Sequence, residues 1–309
     1  METSTLFGEC VARWLDEVWE ELARPDPFVV IEGGAGPGRL CRDVFLAADR
    51  CRDALRYVMV ERSEQQRAEA YERVVATCFA DREEAPVAAL ADLPAGSFTG
   101  VVLANELLDN LPPRLLERGT DGWRELFVDD AAFVSQAAST DVARMADVLA
   151  PDARVGDRIP LQLKAAVWLR RAHALLERGR VLAVDYGVAR TRDLAVRDWT
   201  EWLRGYRGHR RIADLLADPG GHDITCEVAF DQLGGTAQLV LQRDWLAAHG
   251  LDELAADARA RWRDAAAAPD AAAVAARRVV DEAAQLTAAD GLGGFLVADW
   301  RVDQASAAR

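Results

Sequence analysis

The sequence predicts an α/β fold in which a mostly parallel central sheet carries helices on both faces and accepts inserted segments. Three observations carry that reading. Phe28–Ile31 is an apolar run that ends on an acid and then on glycines, Glu32-Gly33-Gly34-Ala35-Gly36-Pro37-Gly38. That order is strand, tight loop, helix. Further short apolar runs, Tyr57–Val60, Phe98–Ala104 and Val181–Val184, alternate with stretches of helical periodicity, as buried parallel strands do. Finally, these runs exit into polar residues, at the strand ends where open α/β sheets bind ligands.

The first element is an amphipathic helix from Leu6 to Leu22, with Phe7, Val11, Trp14, Leu15, Val18 and Trp19 on its apolar stripe. The tryptophans read as core packing, with cofactor stacking as the alternative. Pro25 and Pro27 end the helix. After the strand Phe28–Ile31 come a helix over Leu40–Ala48 and a strand, Tyr57–Val60, closed by Glu61. Ser63 is placed to cap a helix that runs to Val75. Ala85–Leu93 then leads to the strand Phe98–Ala104 and the polar exit Asn105-Glu106-Leu107-Leu108-Asp109-Asn110-Leu111-Pro112. Residues 113–160 read as an insertion, with a hairpin of Trp123–Val128 and Ala131–Gln136 about Asp129-Asp130. Leu161–Glu177 reads as a helix, and Val181–Val184 as a strand opening onto Asp185-Tyr186-Gly187. Residues 202–211 form a basic island. Leu251–Ala289 is helical by propensity, and Phe295–Ala298 is the last strand.

The bulk properties narrow the chemistry. A net charge of −14 over 309 residues argues against nucleic acid, because phosphate binding needs clustered Lys and Arg. It permits a basic protein substrate. Five cysteines without a C-x-x-C pair read as reduced thiols, and the four histidines show no metal-ligand spacing, so no metal is expected. No apolar run is long enough to span a membrane, and Met1-Glu2-Thr3-Ser4 lacks the features of a signal peptide. The expected location is the cytoplasm. A homodimer is compatible with the sequence.

The glycine spacing selects the ligand. A dinucleotide fingerprint needs G-x-G-x-x-G, but Arg39 stands at the third glycine position. The spacing present is Glu32, Gly34, Gly36, Gly38, which resembles motif I of class I S-adenosylmethionine (SAM) methyltransferases. A plain strand–turn–helix connection is the alternative. Glu61 follows the loop by the interval expected of an acid that accepts both hydrogen bonds of a ribose diol; its alternative is a solvated acid at a helix start. Asn105, Glu106 and Asp109, set among leucines after a buried strand, are costly unless used. Their alternative is helix capping and a favourable helix dipole.

The full set of motifs is similar to the MidA-like family of SAM-dependent methyltransferases, which includes the mitochondrial complex I assembly factor that methylates an arginine. The segments are Leu6-Phe7-Gly8, Glu32–Leu40, Val60-Glu61-Arg62-Ser63, Ala104–Pro112, Val184-Asp185-Tyr186-Gly187, Arg204-Gly205-Tyr206-Arg207-Gly208-His209 and Pro219-Gly220-Gly221-His222-Asp223-Ile224-Thr225. The resemblance implies a single Rossmann-like class I methyltransferase domain over 1–309, with the insertion at about 113–160 and a family-specific region at about 188–290. It implies SAM as cofactor, held by Glu32, Gly34, Ala35, Gly36, Gly38, Glu61, Arg62, Asp92, Leu93 and Asn105. It implies a protein side chain, arginine among the candidates, as acceptor, with Asn105, Glu106, Asp109 and Tyr186 at the catalytic end and His209 and Asp223 as weaker contacts. Relatives usually carry a Gly-Asp-Phe segment ahead of the Phe-Gly, where this sequence starts at Met1, so the expectation is either a chain that begins late or a more open site. Two rival readings remain: a SAM-binding assembly protein with little catalysis, and a small-molecule methyltransferase with a deep apolar acceptor pocket.

Overall fold

The computed structural model describes residues 5–82, 84–208, 210–265, 267–268 and 270–304. The first apolar stripe forms α1 (Thr5–Glu21), which buries Leu6, Phe7, Val11, Trp14, Leu15 and Val18. Then come β1 (Phe28–Gly33), α2 (Arg39–Ala47), β2 (Leu55–Val60), α3 (Glu64–Cys78), β3 (Val87–Leu90) and β4 (Phe98–Asn105). Ser63 caps α3, its hydroxyl accepting from the Gln66 N–H. A 3-10 turn, Leu108–Asn110, precedes β5 (Arg114–Gly119), β6 (Gly122–Asp129), β7 (Ala132–Ala137), α4 (Thr140–Leu149), β8 (Arg158–Leu161) and α5 (Leu163–Ala174). β9 (Leu176–Asp185) and β10 (Gly187–Val188) lead to the short helices α6 (Arg192–Ala195) and α7 (Trp199–Trp202). β11 (Leu203–Arg207), β12 (Arg210–Ile212), β13 (Asp223–Cys226) and β14 (Val228–Ala229) follow. The chain closes with β15 (Gln238–Leu241), α8 (Gln242–Ala248), α9 (Leu251–Asp264), α10 (Ala271–Thr287) and β16 (Leu296–Asp303).

These elements gather into two compact units. The first takes the chain up to Asn105, Ala172–Val184 and the chain from Ala237 on; the second takes Glu106–Arg171 and Asp185–Thr236. The 113–160 stretch lies in the second unit, and the 188–290 region divides between the two after Thr236.

The first unit is built on a seven-stranded sheet of order β15-β16-β9-β4-β1-β2-β3. The pairs β1–β2, β2–β3, β1–β4 and β4–β9 are parallel, and β15–β16 is antiparallel. Chain order runs outward from β1 through β2 and β3, then resumes on its other side with β4. That reversal is the switch point at which doubly wound sheets leave a crevice beyond their carboxyl ends. The core joins sheet residues such as Val30, Tyr57 and Val101 to Leu15, Val44, Phe45 and Leu246 of the helices.

The second unit holds an antiparallel sheet of order β7-β6-β5-β8, a three-stranded sheet β12-β11-β13 and the parallel pair β10–β14. One small core packs Leu116, Trp123 and Ile159 with Val142 and Ala146 of α4. Another gathers Leu115, Leu194, Trp202, Leu203 and Cys226.

The structure adds β3, β15 and α8, which the periodicity did not name, and departs from it in three further places. The helix expected over Leu161–Glu177 is shorter, and the strand expected to start at Val181 begins at Leu176. Pairing with β4 takes Leu176–Arg180 into the sheet, in the register Phe98↔Leu176 and Gly100↔Gly179. Glycine at both positions allows that approach, because a Cβ on Gly179 would stand 1.8 Å from the Gly100 carbonyl oxygen. Within the insertion, β5 pairs with β6 and β8 with β5, so both add on one side of the expected hairpin and extend it to four strands. The basic island supplies β11 and β12, antiparallel to each other, with β11 also pairing β13. His209, in that island, lies outside the described residues.

Candidate functional site

The glycine loop leaves the carboxyl end of β1 in the first unit. Gly34, Gly36 and Gly38 all take positive φ, of 68°, 51° and 72°, a region only glycine enters without strain. The Gly34 and Ala35 N–H groups donate to the Val60 carbonyl at 2.8 and 3.1 Å, so the loop is tied to the end of β2. Arg73 of α3 braces the loop by donating to the Pro37 carbonyl at 3.2 Å. A Cβ on Gly36 would meet nothing within 4 Å, whereas one on Gly38 would stand 3.0 Å from Ala70 Cβ and 3.1 Å from Met59 Sδ. The loop is therefore open at Gly36 and packed at Gly38, where α2 begins. Gly38→Ala is expected to lower stability by about 1–2 kcal/mol through its left-handed backbone alone, which thermal unfolding would measure.

Glu61 closes β2 and binds the loop directly. Its Oε2 accepts from the Gly36 N–H at 3.0 Å and its Oε1 from the Ser63 N–H at 2.8 Å. One carboxylate thus spans the loop and the start of α3, with lone pairs left for a ligand. Arg62 is exposed. Past β3, Asp92 is exposed and accepts from the Leu93 N–H at 2.8 Å, while Leu93 is buried. Asn105, half-buried, ends β4 in register with Val184. Glu32 takes a different position: it is 4 % exposed and its Oε2 accepts from the buried Tyr57 hydroxyl at 2.9 Å. Burial pushes its pKa up to about 8, against the opposing pull of the Tyr57 hydrogen bond. Its side chain supports the loop from within the core.

The second unit carries the acids that follow β4. Glu106 adopts φ 49° and is exposed. A non-glycine residue held there is a strained position of the kind that clusters at functional sites. Asp109, 4 % exposed, accepts from the Tyr186 hydroxyl at 2.8 Å on Oδ2 and from the Asn110 amide at 2.7 Å on Oδ1. Beneath it is Asp185, fully buried. Its Oδ2 accepts from the Leu108 and Asp109 N–H groups at 2.9 and 3.2 Å, and its Oδ1 from the Tyr186 N–H at 3.0 Å. Asp185 thereby fixes the 3-10 turn that presents Asp109. Burial raises the Asp109 pKa to about 6, with Glu106 adding to the rise, and pushes Asp185 well above the ordinary carboxylate range. Burial likewise raises the Tyr186 phenol.

Glu106, Asp109 and Tyr186 therefore lie in one unit, and Asp109 with Tyr186 in one hydrogen-bond network. Asp223 begins β13, is exposed and pairs opposite Tyr206. Sequence reasoning passed over Asp185 as a strand exit and Arg204 as part of a basic loop. The Arg204 guanidinium lies 5.2 Å over the Tyr186 ring and bonds Glu227 at 2.8 Å. Glu227 is itself gripped by Arg197 through both oxygens, at 2.7 and 3.0 Å. The available signal was an acid ending an apolar strand, Val184-Asp185.

A family model described as "Putative S-adenosyl-L-methionine-dependent methyltransferase" matches residues 10–248. The chain is 26% identical over 261 residues to the mitochondrial protein arginine methyltransferase NDUFAF7 homolog of Drosophila melanogaster, covering 74% of this chain and 57% of that one. It is 25% identical over 273 residues to the human mitochondrial protein arginine methyltransferase NDUFAF7, covering 77% and 58%. The chain thus spans less than two thirds of the length of these curated relatives. A Burkholderia thailandensis protein solved with S-adenosyl-homocysteine (SAH) bound superposes with a TM-score of 0.77 at 25% identity, over 98% of this chain and 78% of that one. With the family model covering most of its length, the chain belongs to the family of S-adenosyl-L-methionine-dependent methyltransferases.

Proposed function

We propose that this chain transfers the methyl group of SAM to a nitrogen of a protein side chain, with arginine as the favoured acceptor. The observation that carries the cofactor half is the loop of three left-handed glycines clamped by Glu61, which is open where a Cβ at Gly36 would project. These residues fit the group: the loop approaches closely without side chains, and the free lone pairs of Glu61 match a ribose diol. Bound SAM supplies a methyl group already activated by its sulfonium, so the protein's work is alignment and exclusion of water. The acceptor half rests on Asp109. Its carboxylate, held by Tyr186 and Asn110, is suited to pair with a guanidinium, to orient one nitrogen and to take the proton that leaves as the N–C bond forms. The relatives named as protein arginine methyltransferases support that acceptor.

Calorimetric titration with SAH tests the cofactor assignment. Glu61→Ala is expected to weaken binding by about ten- to a hundredfold, the effect of removing charge-assisted hydrogen bonds. Unchanged affinity in a folded variant would reject the assignment. The acceptor is tested with methyl-labelled SAM and arginine-bearing protein, read by mass spectrometry at the modified side chain. The transfer rate is expected to rise with pH around a midpoint near 6, as Asp109 loses its proton. Label found only on lysine, or only on small molecules, would replace the arginine reading.

A further inference from the structure

Away from the glycine loop, at the end of the first unit's sheet opposite β3, lies a cavity of about 280 Å³. α1 lends it Trp14 and Glu17, α8 lends Asp244 and Trp245, and the sheet lends Arg180 from β9 and Asp299 from β16. One wall is aromatic. The Trp14 and Trp245 rings stand 6.1 Å apart, and His249 lies 4.4 Å from Trp245. The charges around the cavity do not balance. Among the described residues, Arg180 is the one permanent cation of the lining, and it is shared between Asp299 at 2.9 Å and Glu21 at 2.8 Å. Glu17 lies 3.3 Å from the His249 Nδ1, and Asp244 lies 3.8 Å from its neighbour Arg243. Burial lowers the His249 pKa, so at neutral pH the ring does not offset Glu17. Among the described residues, Asp299 Oδ1 and Arg180 Nε are both buried without a hydrogen-bond partner, so the lining leaves an acceptor and a donor for a ligand or water to satisfy.

We propose that this cavity binds a small organic monocation, a guanidinium or primary ammonium carried on a short apolar stem. The indole faces attract a cation, and Glu17 and Asp244 supply the charge to hold it. Val240 and Val297 line the floor for the stem, and the head group brings the N–H donors that Asp299 Oδ1 lacks. An anion would meet three carboxylates against one guanidinium. The site is independent of the proposed methyl transfer, since none of its residues belongs to the loop or to the acid network.

The test is calorimetric titration of the full chain with butylguanidinium and with its uncharged isostere butylurea. The cation is expected to bind about tenfold more tightly, the scale of one cation–π contact with charge support, and that preference should shrink with added salt. The double variant Glu17→Gln with Asp244→Asn alters exposed side chains and is expected to keep the thermal midpoint while erasing the preference. Saturating SAH should leave the titration unchanged, which separates this result from the cofactor assignment. Equal binding of butylurea, no heat from either probe, or a preference that survives in the double variant would each overturn the proposal. A short arginine peptide titrated alongside identifies the source of the cation. Affinity equal to that of butylguanidinium assigns a protein side chain, and weaker affinity assigns a free amine.

Discussion

Asp109→Asn is expected to lower methyl transfer to a protein acceptor by about 10²–10⁴-fold, the usual weight of a positioned proton acceptor. The substitution keeps the size of the side chain and an oxygen for the Tyr186 hydroxyl, so the turn over Asp185 should persist. What it removes is the charge that orients a guanidinium and the site that receives its proton. Because Asp109 belongs to the acid network rather than to the glycine loop, SAH affinity should change little. Single-turnover measurement with labelled SAM reads the chemical step apart from binding. Wild-type rates in the variant would mean that the proton leaves by another route, and Glu106 would be the next residue to replace.

Trp202→Ala is expected to destabilise the second unit by about 3–5 kcal/mol, as large core truncations do. Trp202 is fully buried, ends α7 and packs with Leu115, Leu194, Leu203 and Cys226. Among the described residues its indole nitrogen finds no hydrogen-bond partner. Trp202→Phe removes that unpaired donor and should therefore cost less than truncation alone would suggest. Urea unfolding followed by circular dichroism separates the two variants. Equal losses for Ala and Phe would show that ring volume is not what the site needs.

The central strands of the first unit's sheet were legible because they are short, continuous apolar runs that end in polar residues, whereas β3 and β15 at its two edges were not named. β1, β2 and β4 fall on Phe28–Ile31, Tyr57–Val60 and Phe98–Ala104 to within one or two residues. The cofactor loop was legible for a related reason: glycine spacing reports a backbone requirement that is local. The start of β9 was not, since Leu176-Glu177-Arg178 suits a helix and only pairing with β4 makes it a strand. In the second unit, patterning failed where short strands meet non-local partners. β5 pairs with β8 across some forty residues, Arg114↔Leu161 to Glu117↔Arg158, and no spacing announces it. Asp109 was visible as an acid among leucines, but the acid that positions it, Asp185, became a partner only through hydrogen bonds that span 76 and 77 residues.

The Glu32–Tyr57 pair under the glycine loop has a consequence for proton uptake. With its pKa raised from 4.5 to about 8, Glu32 holds a proton in the folded chain at neutral pH that the unfolded chain releases. Unfolding near pH 7 is therefore a proton-releasing step at this position. Between about pH 4.5 and 8 the native state binds more protons than the unfolded one, so this carboxyl makes the fold less stable as pH rises and most secure on the acid side. A chain with a formal charge of −14 thus keeps at least one carboxyl out of that count while it is folded, and adds it back when it opens.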